Sequence, residues 1–292
     1  MRTISQLTLR NIRLFLRNRS EVFFSFLSVF IILGLYVLFL GDVQVKNIQS
    51  IVGTDFPEVE ALVYAWMMSG LVAVSTVTLS LGALGRMVQD RERKVFNDFM
   101  VAPIRRWQLI LGYLFSTLII SLTISVFLFI ASQILISIKG GSWLDVVTSL
   151  KALGIIIMLV LSSGLLFLFV ISFVRSESVF SLISTIIGTI IGFVTGAYMP
   201  MGIMPRIIQD ICNLIPVSQG ASLLRHLFMN DLIAKLFANA PAQVVTDYRL
   251  LQGIDLTIQS TVLNDKLMAV YLASSILVLL GLCIFRFNTM KN

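Results

Sequence analysis

Residues 107–138, WQLILGYLFSTLIISLTISVFLFIASQILISI, contain no charged side chain. An α-helix crosses a hydrocarbon layer of about 30 Å in roughly 20 residues, so this stretch is longer than a single span requires. Its serines and threonines do not argue against lipid, because their hydroxyls can bond back to the preceding turn of their own helix. Working outward, uncharged apolar runs of spanning length recur at 22–41, 61–85, 152–174, 178–198 and 267–285. The fifth run stays uncharged as far as Pro205, and Pro200 with Pro205 stops its helix near Tyr198. The run at 22–41 follows some twenty residues and precedes no small-residue cleavage site, so it is read as a retained helix rather than a signal peptide. The expected fold is an all-α membrane protein with six transmembrane helices.

Composition agrees with this reading. Hydrophobic residues make up 57% of the 292 and charged residues only 13%, too few to cover a water-soluble globule of this size. Cys212 and Cys283 fall near opposite faces of the expected membrane and cannot form a bridge. The net charge of +7 could suggest nucleic acid, but the distribution of the charges points to a membrane. With the N-terminus inside, the inner flanks hold 14 of the 22 basic residues and five of the 15 acids. The first outer loop carries Asp42, Asp55, Glu58 and Glu60 against Lys46 alone. Both termini are therefore expected in the cytoplasm.

Three regions outside the spans carry further signals. In 1–21, Thr3 and Gln6 have capping-box spacing, and Ile4, Leu7, Ile12, Leu14, Phe15 and Leu16 share one arc opposite Arg10, Arg13 and Arg17. This predicts an amphipathic helix lying in the inner interface, its arginines near lipid phosphates. In the loop 86–106, a short helix from Asp90 onward places Val95, Phe96, Phe99 and Met100 on one face and ends at Pro103. That face either lies back on the membrane or docks a soluble partner, with Arg91, Glu92 and Arg93 at its rim. Beyond the fifth span, Pro200, Pro205 and Pro216 divide an apolar segment into short helices over 206–214 and 218–229. These are read as re-entrant or capping elements of an outer gate, since irregular backbone at membrane depth needs a protein or aqueous cover. Residues 22–286 form one transmembrane domain that includes the outer segment 199–266, and 287–292 is a cytoplasmic tail.

Within the fifth span, Ser184, Gly188, Gly192 and Gly196 recur at every fourth residue, a spacing that lets a second helix approach closely. It marks a subunit contact, a pathway wall or packing within the chain. No charge lies inside any expected span, which disfavours an ion-coupled carrier. His226 has no second histidine or cysteine at ligand spacing and is read as structural, with no metal site. The chain contains no Gly-Lys pair and hence no phosphate loop, and it shows no nucleophile constellation, so it is read as no enzyme and any ATPase must be a separate chain.

The order of these signals resembles the ABC-2 family of exporter membrane subunits. An amphipathic helix precedes six spans, Arg91-Glu92-Arg93 leads to Ala102-Pro103-Ile104-Arg105-Arg106, and the fifth span ends in Gly196-Ala197-Tyr198-Met199-Pro200. Met204-Pro205, Asn213-Leu214-Ile215-Pro216 and Leu224-Arg225 follow. The family often has Gly-Thr after the Arg-Glu step, where this chain has Lys94-Val95-Phe96. The resemblance implies a permease in the bacterial inner membrane, paired as a homodimer or with a second permease and served by two copies of a cytoplasmic ABC ATPase that bind ATP and magnesium. Coupling would run through the 86–106 loop, and the substrate would be a drug, antibiotic, toxin or lipid-like amphiphile. A non-transporting immunity or sensor subunit is the alternative within the membrane class.

The charge asymmetry yields a labelling test. In a cysteine-free background, Gln49→Cys should react with an impermeant thiol reagent in intact cells and Asn97→Cys should not. The reverse pattern would invert the orientation.

Overall fold

A computed structural model describes residues 2–19, 57–96, 99, 104–258 and 261–289, with scattered positions between 22 and 49. The expected first span at 22–41 lies largely outside the described residues, as do Met100 and Pro103. The chain is mostly helical. Among the described residues, five helices are long and apolar enough to cross a membrane.

The elements are α1 (Arg2–Arg17), α2 (Pro57–Glu92), α3 (Arg106–Ile138), α4 (Val146–Ile171), α5 (Glu177–Val194), α6 (Arg206–Asn213), α7 (Pro216–Leu236), α8 (Ala242–Leu251), a two-residue hairpin of β1 (Thr257–Ile258) and β2 (Thr261–Val262), and α9 (Asp265–Thr289). The hairpin is antiparallel, pairing Thr257 with Val262 and Ile258 with Thr261. The spanning candidates are α2, α3, α4, α5 and α9.

Helix α2 is the axis of the bundle, packed against α3, α4, α5 and α7. Leu62, Ala65, Met67, Leu71, Val72, Leu79, Leu84 and Met87 are all buried along it. Its 36 residues make a helix about 54 Å long, well beyond the thickness of hydrocarbon, so charged side chains at its two ends lie past the apolar layer. Small polar residues let α3 pack closely, with Ser80 donating to Ser121 at 3.2 Å and Ser75 within 3.5 Å of Ser125. The peripheral α5 and α9 instead turn apolar side chains outward, among them Leu182, Ile186, Leu277 and Val278, as a lipid-facing surface requires.

Several expected boundaries shift. The loop helix does not begin at Asp90, because α2 continues through Glu92 and breaks at Lys94, whose φ is 60°. The fifth span ends at Val194, ahead of Tyr198, in a turn where Gly196 adopts φ 65°. Prolines do mark the next two helices: Pro205 immediately precedes α6, and Pro216 opens α7, where a missing backbone donor costs nothing. Helix α7 is longer than expected and buried over most of its length, with Gly220 against Leu159 of α4 and the Phe228 ring 5.8 Å from Phe129 of α3.

Helix α1 packs on α3 and α2 through Leu7, Thr8, Asn11 and Phe15. The contact is close because Gly112 of α3 has no side chain, and a Cβ there would lie 2.7 Å from Leu7 Cβ.

Candidate functional site

Two polar clusters are built into the bundle, one at each end of α2. At the α1 end, Arg10 donates through both terminal nitrogens to the Asp90 carboxylate, at 2.6 and 3.2 Å, and the Tyr113 hydroxyl donates to the same carboxylate at 2.7 Å. The Asp90 side chain is only 7% exposed and that of Arg10 30%, so the pair is largely removed from solvent. Three helices thus meet on one carboxylate. The expectation that Arg10 faces outward with Arg13 and Arg17 is corrected: those two are exposed, whereas Arg10 turns inward because Asp90 offers a bidentate acceptor there.

One residue further along α2, the Arg91 guanidinium reaches the C-terminus of α4. It donates to the carbonyls of Val174 at 2.7 Å, Ile171 at 3.3 Å and Ser172 at 3.4 Å. A helix leaves its last carbonyls without partners and carries partial negative charge at that end, so a cation with several donors stabilises it on both counts. Glu92 accepts from the backbone N–H of Glu177 at 2.7 Å, and Arg93 lies 3.6 Å from the Glu177 carboxylate, tying α2 to the start of α5.

The apolar stripe does not stand freely outward. Phe96 and Phe99 are half-buried and pack against the main core, with the Arg91 guanidinium 5.6 Å from the Phe96 ring centroid and that of Arg10 5.2 Å from Phe99. Val95 is half-buried, and the exposed part of this turn is Glu92, Arg93 and Lys94. The described residues after α2 are therefore anchored inward at Phe96 and Phe99 by aromatic rings beneath cations, an arrangement that is favourable in itself.

At the other end, Arg225 of α7 is fully buried. It donates to the carbonyls of Thr195 at 2.8 Å, Gly196 at 2.9 Å and Gly253 at 3.2 Å, and its guanidinium lies 5.4 Å from the Trp66 ring centroid. Trp66 in turn donates to the Gln252 carbonyl at 2.7 Å. The turn after α5 is held by a guanidinium just as the end of α4 is. Gly70 leaves room for this, since a Cβ there would meet Ala197 Cβ at 3.0 Å and Arg225 Nη2 at 3.3 Å.

His226 lies 2.8 Å from the Ile254 carbonyl and beside Asp255, Asp265 and Arg249. Burial alone would raise the Asp255 carboxyl, but hydrogen bonds with His226 and Arg249 hold it well below the usual carboxylate range. No metal-ligating cluster occurs among the described residues. Both cysteines are free and buried.

The residues of the small seam meet different surroundings. Among the described residues nothing lies within 4 Å of a Cβ at Gly188, whereas one at Gly192 would overlap the Tyr198 ring at 2.3 Å, and Gly196 faces Arg225. Of these three glycines, Gly188 alone is open among the described residues. Gly192 is filled by its own chain because the turn after α5 folds Tyr198 back on it. Of the three prolines of the expected gate, Pro200 is buried and Pro205 exposed, while Pro216 is half-buried.

Asp90, Tyr113, Trp66 and Glu177 belong to these clusters and were not singled out by sequence. The one available signal was Arg225, a lone cation in a long apolar stretch. The model of the ABC-2 type transporter family matches residues 2–229, from α1 into α7. No curated protein matches the chain.

Arg10→Ala should leave the Asp90 carboxylate buried without its cation and lower stability by about 3 kcal/mol in detergent denaturation, while Arg13→Ala should cost no more than about 0.5 kcal/mol. Arg225→Lys should cost about 2 kcal/mol in the same assay despite keeping the charge, because an ammonium cannot fork to carbonyls on two separate turns.

Proposed function

Because the chain belongs to the ABC-2 type transporter family, whose members generally work with an ABC ATPase, we propose that it is the permease subunit of an ATP-driven exporter in the bacterial inner membrane. It performs no covalent chemistry, and ATP with magnesium is bound by a separate cytoplasmic ATPase present in two copies. Its cargo is an amphiphilic or hydrophobic molecule such as a drug, antibiotic, toxin or lipid-like compound, in keeping with apolar helices that carry no fixed charge at mid-span.

The observation that carries this reading is the α1-end junction. Asp90, Arg91 and Glu92 join three consecutive side chains of α2 to α1, α4 and α5 respectively. A push on the exposed turn of Glu92, Arg93 and Lys94 is thereby delivered to most of the bundle at once. In this reading the ATPase engages that turn, Val95, Phe96, Phe99 and Met100 pass the motion inward, and the termini lie on the cytoplasmic side. A second permease, identical or paired, packs against α5 at the open position of Gly188. Pro200, Pro205 and Pro216 shape an outer gate above the Arg225 cluster.

The experiment is to purify the chain with its ATPase and measure retention of the partner together with substrate-stimulated ATP hydrolysis. Phe96→Ala with Phe99→Ala removes the rings that fasten this turn to the core, a packing loss of a few kcal/mol, so stimulation should fall at least tenfold. Wild-type stoichiometry with undiminished stimulation would move the coupling elsewhere.

A further inference from the structure

Beside the α1-end junction lies an open cleft of about 680 Å³. Its cations come from separate parts of the chain: Arg91 from the end of α2, Lys94 from the turn after it, Arg175 from the α4–α5 connection and Arg286 from α9. Glu92 is the one carboxylate lining it among the described residues, one negative charge against four positive ones. Arg91 is committed to the carbonyls ending α4, so Lys94, Arg175 and Arg286 are the cations that face the opening. Lys94 and Arg175 are exposed. Arg286 is fixed in place, its Nε donating to Ser172 Oγ at 3.2 Å and its guanidinium 4.1 Å from the Phe173 ring centroid.

Like charges brought together by separate segments repel one another unless an anion joins them, and guanidinium groups suit phosphate oxygens in particular. The surroundings narrow the source of that anion. Phe173 is 56% exposed at the rim, and the helix that supplies Arg286 carries exposed Leu282, Ile284 and Phe285. Cations at the mouth of a cleft with bare apolar surface below them match the layout of a phospholipid, headgroup above and acyl chains beneath.

We propose that the cleft between the end of α2, the α4–α5 connection and the end of α9 is a binding site for a phosphate group, of the kind carried by an anionic phospholipid. Arg175, Lys94 and Arg286 hold the phosphate oxygens, and Phe173 with the outer face of α9 contacts the chains. The proposal does not depend on the exporter reading.

The test titrates the full chain in detergent micelles with phosphatidylglycerol, with phosphatidylcholine of the same chains, and with inorganic phosphate, following the melting temperature, which a ligand of the folded state raises. Phosphatidylglycerol should raise it at lower concentration than phosphatidylcholine does. Lys94→Gln with Arg175→Gln should increase the concentration needed for half the shift by about 30-fold, about fivefold for each cation. Arg175→Gln alone changes one exposed side chain, keeps the fold and should show its own fivefold loss. Arg13→Gln with Arg17→Gln removes the same charge from α1 at the same end of the molecule and should change it less than threefold. A cleft-dependent shift with phosphatidylglycerol alone identifies a lipid headgroup as the source, and one with inorganic phosphate as well identifies any phosphate anion. Equal losses from the cleft pair and the α1 pair would mean diffuse surface attraction and overturn the proposal, as would the absence of a shift with both anions.

Discussion

A helix that stops inside apolar surroundings leaves carbonyl oxygens with nothing to bond, and each such group costs several kcal/mol where water cannot reach it. This chain meets that constraint twice in the same way. Arg91 supplies donors to the end of α4, and Arg225 supplies them to the turn that ends α5. Both guanidinium groups come from a different helix than the one they cap. Stopping α4 and α5 is therefore inseparable from docking them, and the bundle's connections double as its joints.

The charge of each arginine is met differently. Arg91 sits at the rim, where Glu92 and the aromatic face of Phe96 lie close by. Arg225 is buried, and the carbonyl dipoles of Thr195, Gly196 and Gly253 and the face of Trp66 are among its neighbours. Dipoles held in place by two glycine turns, at Gly196 and Gly253, contribute to stabilising that cation as long as those turns keep their geometry. Each glycine has φ 65°, which other residues adopt only under strain. The position of the outer segment, the end of α5 and the placement of α7 thus form a single arrangement.

Much of this fold can be read from the sequence because its strongest signals are local. Apolar runs bounded by charge define α2 to α5 and α9, and Pro205 and Pro216 place the starts of α6 and α7. The clusters are harder to read for a physical reason. Asp90 looks like loop charge because it follows an apolar run, and nothing local reveals that its helix continues or that Arg10, eighty positions earlier, bonds to it. The partners of Arg225 are backbone carbonyls, which carry no residue signature. Gly192 shows a further limit: a four-residue period fits a subunit contact and packing within the chain alike, and only the turn that follows, which folds Tyr198 against it, shows which applies there.

The unbroken length of α2 has a mechanical consequence. Asp90 and Trp66 are anchored to different parts of the protein but lie on one helix, 24 residues and therefore about 36 Å apart, with no proline between them to act as a hinge. Pivoting about its middle, such a lever would shift each anchor by about 1.6 Å for a tilt of only about 5°, around half the length of a hydrogen bond. Motion at one surface would then strain the Arg225 cluster at the other without any helix having to bend or unwind.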